Sequence, residues 1–188
     1  MNPSAKLPVS FPKSEADLPH PALPGPPPGS AKTAEPQSGP PFDINYTEGL
    51  KVGYKWFEAE KKEPLFPFGF GLSYTSYSYS ALKTTPGQEP TVSFSVKNTG
   101  KSTGAEIAQV YVLLPPRAGE PFKRLVAWQK VELSPGASKA VTLNLDPQYL
   151  SIFNVDKDAF ELVPGDYKVY VGSSSSNTPL AATLQIAR

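Results

Sequence analysis

The 188 residues carry a net charge of +1, with Lys and Arg scattered rather than striped, which argues against nucleic acid or an anionic membrane as the main partner. No apolar run is long enough to span a bilayer, and the opening MNPSAKLPVSFP lacks the apolar stretch of a signal peptide. The absence of Cys excludes disulfides, thiolate chemistry and a zinc ribbon, and no cofactor or metal is expected.

In chain order, KLPVSF reads as a short extended run. Ten of the 23 prolines then fall between Pro12 and Pro41. The stretch PHPALPGPPPGSAKTAEPQSGPP cannot hold a helix or a central strand, because proline lacks the N–H and restricts the residue before it. It reads as an exposed loop or linker with polyproline character; an SH3-type ligand is the alternative, but no Arg flanks the run. In EGLKVGYKWFEAE, Leu50, Val52, Tyr54 and Trp56 alternate, which predicts a strand. In EPLFPFGFGLSYTSYSYS, an extended chain places Phe66, Phe68, Phe70, Leu72 and Tyr74 on one face and small residues on the other. After Thr75 the phase inverts, with Tyr77 and Tyr79 now on the odd positions, as for a chain leaving one core and entering another. The division predicted is therefore 1–75 as an irregular, proline-rich extension and interdomain junction, and 76–188 as a domain.

From residue 76 onward period-two runs alternate with turn signals. Val92, Phe94 and Val96 share a face, and Gly100 and Gly104 turn the chain. AEIAQVYVLL is apolar on both faces, as a central strand would be. FKRLVAWQKVEL aligns Leu125, Ala127, Val131 and Leu133 with Trp128 opposite, and leads into a Ser134-Pro135-Gly136 turn suited to type II. Val141, Leu143 and Leu145 follow, then Tyr167, Val169 and Val171, then Leu180, Ala182, Leu184 and Ile186. Seven or eight short strands at regular spacing predict an all-β fold, an immunoglobulin-like or fibronectin type III-like β-sandwich. Residues 1–62 offer two strands and a long loop, too little for an independent domain.

The search for chemistry is mostly negative. His20 sits between prolines, so a Ser-His-Asp arrangement would rest on a mobile residue. Gly71-Leu72-Ser73-Tyr74-Thr75 lacks the final glycine of a nucleophile elbow, so Ser73 reads as structural. Ser10-x-x-Lys13 and Ser80-x-x-Lys83 lack the helical turn that motif needs. In NVDKDAFELVPG, Asn154, Asp156 and Asp158 suit a calcium loop, but Ala159 and Gly165 stand where its glycine and bidentate glutamate belong; an exposed acidic hairpin tip fits better. Nothing in the sequence pairs two carboxylates across a cleft, as glycosidase chemistry requires. Trp128 is the candidate for stacking on a sugar ring. Asn45-Tyr46-Thr47 is a glycosylation sequon, relevant only in a secreted eukaryotic protein.

Several long, ordered motifs give the chain a family resemblance. PSAKLPVSFPKSEADLP, YTEGLKVGYKWFEAEKKEPLFPFGFGLSYTSYSYS, VAWQKVELSPGASKAVTLNLD and VPGDYKVYVGSSSS resemble the C-terminal part of family 3 glycoside hydrolases of the β-glucosidase and β-xylosidase group. The resemblance implies the end of an α/β sandwich domain joined to a fibronectin type III-like domain. Enzymes of this kind are often secreted or periplasmic, and they place the nucleophilic aspartate and the acid/base glutamate in regions that no stretch here matches. No catalytic residue is therefore assigned. The function implied is a non-catalytic accessory module that buttresses catalytic domains and contacts polysaccharide. A stand-alone hydrolase on the same scaffold and a carbohydrate-binding module are the alternatives. Trp56, Phe66, Phe68, Phe70 and Tyr74 are the expected packing residues, either against the catalytic domains of a parent chain or in self-association through residues 1–75.

Overall fold

A computed structural model describes residues 2–21 and 45–187. The proline-rich stretch lies almost wholly outside these. Among the described residues nine strands form: β1 (Tyr77–Thr85), β2 (Thr91–Asn98), β3 (Gly104–Leu113), β4 (Lys123–Leu133), β5 (Ser138–Asn144), β6 (Ser151–Asn154), β7 (Ala159–Leu162), β8 (Gly165–Gly172) and β9 (Leu180–Ile186). Two antiparallel sheets face each other, one of three strands in the order β1-β2-β5 and one of four in the order β4-β3-β8-β9. β6 and β7 make a separate hairpin. The all-β sandwich read from the sequence is the observed architecture.

The alternation of apolar residues builds the core. Val92, Phe94 and Val96 of β2 and Val141 of β5 meet Ala108, Val110 and Val112 of β3 and Tyr167, Val169 and Val171 of β8. All are buried, most completely. Ser134-Pro135-Gly136 turns as predicted: Gly136 has φ +75° and Ala137 N–H donates to Ser134 C=O at 3.0 Å.

A bulge changes the predicted face of β4. Tyr111 pairs with Leu125 and Val110 with Ala127, which leaves Val126 without a partner in the register. The extra residue shifts parity, so Val126 enters the core and Leu125, expected there, is only partly buried and outside it. Trp128, in register with Gln109, faces outward.

Two polar anchors fix the corners. The fully buried Asn98 donates to Ser102 C=O and Leu133 C=O, and accepts from the Thr75 hydroxyl at 2.6 Å and from Gly100 N–H. This amide locks the chain at Thr75, where the sequence changes phase. At the start of β8 the buried Tyr167 hydroxyl reaches Val163 C=O at 2.8 Å and Leu150 C=O at 3.2 Å, a tyrosine corner of the kind found in such sandwiches.

Tyr167→Phe removes both contacts and strands two inward carbonyls. It should lower unfolding free energy by about 1–2 kcal/mol, read as a lower urea midpoint at unchanged slope.

Candidate functional site

The site is a junction. The central strand β3 is covered on both sides: Ala108, Val110 and Val112 point into the core, while Gln109 and Tyr111, almost and fully buried, lie on the outer face of the four-stranded sheet. What covers them is the N-terminal extension. The segment YKWFEA, predicted as a strand from its alternation, is instead a short helix α1 (Tyr54–Ala59). Helical spacing puts Tyr54 and the buried Phe57 one turn apart, and the amphipathic turn lies against the outer sheet face. The six residues alternate and repeat at i, i+3 at once, so period alone could not separate the two forms.

Aromatic and polar contacts lock the cover down. The Tyr54 ring stacks on Phe68 at 4.8 Å and meets Tyr111 edge-on at 5.9 Å, while its hydroxyl accepts from Leu125 N–H at 2.8 Å. Tyr111 donates to Gln109 Oε1, and Gln109 Nε2 donates to Gly69 C=O and Ser173 C=O. Ser175 N–H closes the contact on Phe68 C=O at 2.9 Å. The Lys123 ammonium lies over the Tyr170 ring, donates to Ser175 C=O and sits 3.9 Å from Glu58 on α1. Burial pushes the Glu58 carboxyl up, and Lys123 partly opposes that. Burial, with Arg124 nearby, lowers the Lys55 ammonium.

A turn splits the phenylalanines that were expected on one face. Phe70 N–H donates to Pro67 C=O at 3.0 Å, and Gly69 at the third position has φ +79°, which reverses the chain. Phe68 therefore goes inward to Tyr54, while Phe66 and Phe70 stack together at 5.1 Å on the other side and Phe11 meets Phe66 edge-on. KLPVSF runs extended beside this turn, with backbone bonds between Leu7 and Phe70, Leu7 and Gly69, and Phe11 and Phe66, but it makes only one isolated bridge. Ala5, Leu7, Phe11, Phe66, Phe70 and Leu72 line an open apolar groove of about 480 Å3. Leu72 is 72% exposed and Leu65 55%.

The other candidate residues fall in different places. Trp56, partly buried, donates from Nε1 to Asp17 C=O at 2.8 Å and lies between the Lys51 and Lys62 ammonium groups, tying α1 to the 3-10 turn at Glu15–Asp17. Tyr74 is 77% exposed and Trp128 64%. Ser73 donates to Asn2 Oδ1, a structural role as expected. NVDKD is the tip of the β6–β7 hairpin, where Asn154 Oδ1 accepts from the Asp156 and Lys157 amides. His20 is held, not free: its Nε2 lies 2.7 Å from Glu48 Oε2 and its ring meets Tyr46 edge-on. The Glu48 backbone N–H, then His20, hold that carboxyl below the usual carboxylate range. Among the described residues no group of three or more His, Cys, Asp or Glu gathers to hold a metal. Sequence reading missed Gln109, Tyr111 and Lys123; the signal for the first two was a strand apolar on both faces that carried one amide.

Residues 106–175 match the fibronectin type III-like domain family. The chain is 35% identical to a probable β-glucosidase M of Neosartorya fischeri, over 98% of its own length and 26% of that protein. It is 34% identical to a β-glucosidase of Rhizobium radiobacter, over 99% of its own length and 22% of the other. Among solved structures, β-glucosidase 3B of Thermotoga neapolitana, in complex with glucose, superposes with a TM-score of 0.84 at 35% identity, over the whole chain and 25% of that one. DesR, a β-glucosidase of Streptomyces venezuelae in complex with D-glucose, gives a TM-score of 0.80 at 35% identity, over 99% of the chain and 23% of that one. The chain thus spans about a quarter of the length of the relatives it matches.

Gly69→Ala would force a left-handed backbone on alanine and drive a methyl into the Gln109 side chain. It should cost about 2 kcal/mol or more and loosen the cover, read as raised hydrogen exchange at Ser175 and Phe70. Because the Glu48 carboxyl is depressed in the folded protein, its contribution is complete above its ordinary value of 4.5 and is lost as pH falls through the lower folded value. Protection factors at Gly49 and Lys51, taken against the intrinsic exchange rate at each pH, should therefore fall on acidification below that range, and Glu48→Gln should flatten the response.

Proposed function

For a chain that belongs with the fibronectin type III-like region of family 3 glycoside hydrolases of the β-glucosidase type, we propose the role of a non-catalytic accessory module that buttresses the catalytic part of such an enzyme. One observation carries this reading. The segment 63–75 works on two sides: Phe68 and Gly69 fasten it to the sandwich, while Phe66, Phe70 and Leu72 face away and remain open. Phe11 lines the same groove, and Val9 and Leu65 are also exposed. An apolar strip of this kind, mounted on a rigid backing, is the form of an interdomain contact surface. The boundary proposed between junction and module is at residues 75 and 76.

The catalytic groups that the family resemblance implies lie in regions with no counterpart in this sequence, so the module's contribution is mechanical. It holds a surface in place rather than a proton. In the chain by itself the same strip has a second solution, contact between copies. The outward ring of Trp128, on a β4 position that the extension leaves open, favours an additional contact with polysaccharide.

Mixed with the catalytic region of a family 3 β-glucosidase that lacks its own fibronectin-like part, the chain should form a complex and raise that region's thermal midpoint. Phe66→Ser with Leu72→Ser should weaken the complex at least tenfold at little cost to the module's own stability. A chain that stays strictly monomeric at high concentration and forms no complex would defeat the reading. The isolated chain should not turn over aryl β-glucosides; turnover abolished by a single carboxylate substitution would establish a stand-alone hydrolase instead. Retention on insoluble polysaccharide that is lost in Trp128→Ala would support the sugar contact.

A further inference from the structure

Behind the open strip, and sharing Lys6, Phe70, Gly71 and Leu72 with it, lies a second cleft of about 880 Å3 where the extension crosses the β1 edge of the sandwich, within the size range of small-molecule sites. Its floor is Glu106, near the start of β3. This residue has the register parity of Ala108, Val110 and Val112, all core residues, and its side chain is only 6% exposed. A carboxylate so placed requires partners. Lys6 of the extension supplies one, with Nζ 2.8 Å from Oε1, and the Tyr79 hydroxyl donates to the same oxygen at 3.0 Å. Burial and the Glu106 charge push the Tyr79 hydroxyl far up, so it stays protonated and donating.

Both contacts end on Oε1. Among the described residues Oε2 accepts no hydrogen bond, and the Lys6 ammonium, with three protons to donate, has only Glu106 as a partner. The buried Tyr77 hydroxyl beside them has none. An open carboxylate oxygen next to an ammonium offers one acceptor and one donor side by side. Two adjacent hydroxyls on a ring present the complement. The pair is neutral as a whole, so it selects for no ligand charge. Phe70 and Leu72 supply apolar wall, and Ser78 and Asn177 supply a hydroxyl and an amide at the rim.

We infer that this cleft is a binding site for a neutral cyclic polyol, one or two pyranose units, gripped at a vicinal diol by Lys6 and Glu106. The choice of a sugar as the natural polyol rests on the accessory-module reading above; the diol chemistry does not. A pair that served only to staple the extension to β3 would be indifferent to hydroxyl pattern.

The test titrates the whole chain with methyl β-glucoside and cellobiose, and with trans-1,2-cyclohexanediol against cyclohexanol, followed by NMR shifts of the Glu106 and Tyr79 amides. Saturable millimolar binding is expected, with cyclohexanol at least tenfold weaker than the diol. Glu106→Gln should weaken binding at least fivefold. If that variant does not fold, Ser176→Trp decides, since it places bulk in the cleft from an exposed rim position and should abolish binding at unchanged thermal midpoint. Trp128→Ala should change nothing. No saturation, equal binding of diol and cyclohexanol, or undiminished binding in Ser176→Trp would overturn the inference, as would loss of binding in Trp128→Ala. The docking assay with a catalytic region uses none of these ligands and leaves Glu106 and Ser176 unchanged, so the two readings fail separately.

Discussion

The structure depends on one constraint: the four-stranded sheet has two faces to bury. Its inner face closes on the three-stranded sheet in the ordinary manner of a sandwich. Its outer face carries Tyr111 with no exposure at all and Gln109 with almost none. A buried amide and a buried phenol on that side need an overlying chain with carbonyls in the right places. The extension provides both the rings and the carbonyls, through Tyr54, Phe68 and the backbone of Gly69. Remove that cover and the sandwich exposes an aromatic face with unpaired polar groups; remove the sandwich and the extension has no core.

This mutual dependence explains why a stretch so rich in aromatic residues carries no evident chemistry. The rings are structural, and they are divided by the turn at Gly69. One set is spent inward on the sheet, and the other faces outward. In the β-glucosidases that resemble this chain, about three quarters of the polypeptide has no counterpart here. The same geometry accounts for the placement of charge. Lys6, Glu58 and Lys123 all stand at the seam, where ion pairs fix the register between two elements that apolar contact alone would let slide.

Much of the sandwich could be read from the sequence, because strands half-buried on one face announce themselves by alternation. Val92, Phe94 and Val96, Val141 and Leu143, and Tyr167, Val169 and Val171 all lie where that pattern puts them. The pattern failed where something other than burial sets the phase. At Val126 a bulge absorbs one residue, and Leu125 moves off the core face. At Gly69 a left-handed glycine reverses the chain, and Phe68 parts from Phe66 and Phe70. At Tyr54–Ala59 six residues satisfied both periods, and the outer sheet face chose the helix. His20 looked unanchored because its partner, Glu48, lies 28 positions away across the proline-rich stretch. The junction itself was half legible: its aromatic content and the phase break at Thr75 were visible, but Gln109, Tyr111 and Lys123 act through contacts with residues distant in sequence.

The central claim is that extension and sandwich form one folding unit. The chain has two tryptophans placed to test it, Trp56 on the covering helix and Trp128 on β4. Urea unfolding of Trp56→Phe and Trp128→Phe, each leaving one reporter, should give transitions that coincide with each other and with far-UV circular dichroism, once each variant's own stability change is taken into account. If Trp56 instead loses its folded signal at distinctly lower urea while the β signal persists, the extension is an independent appendage, and the claim of a single folding unit is contradicted.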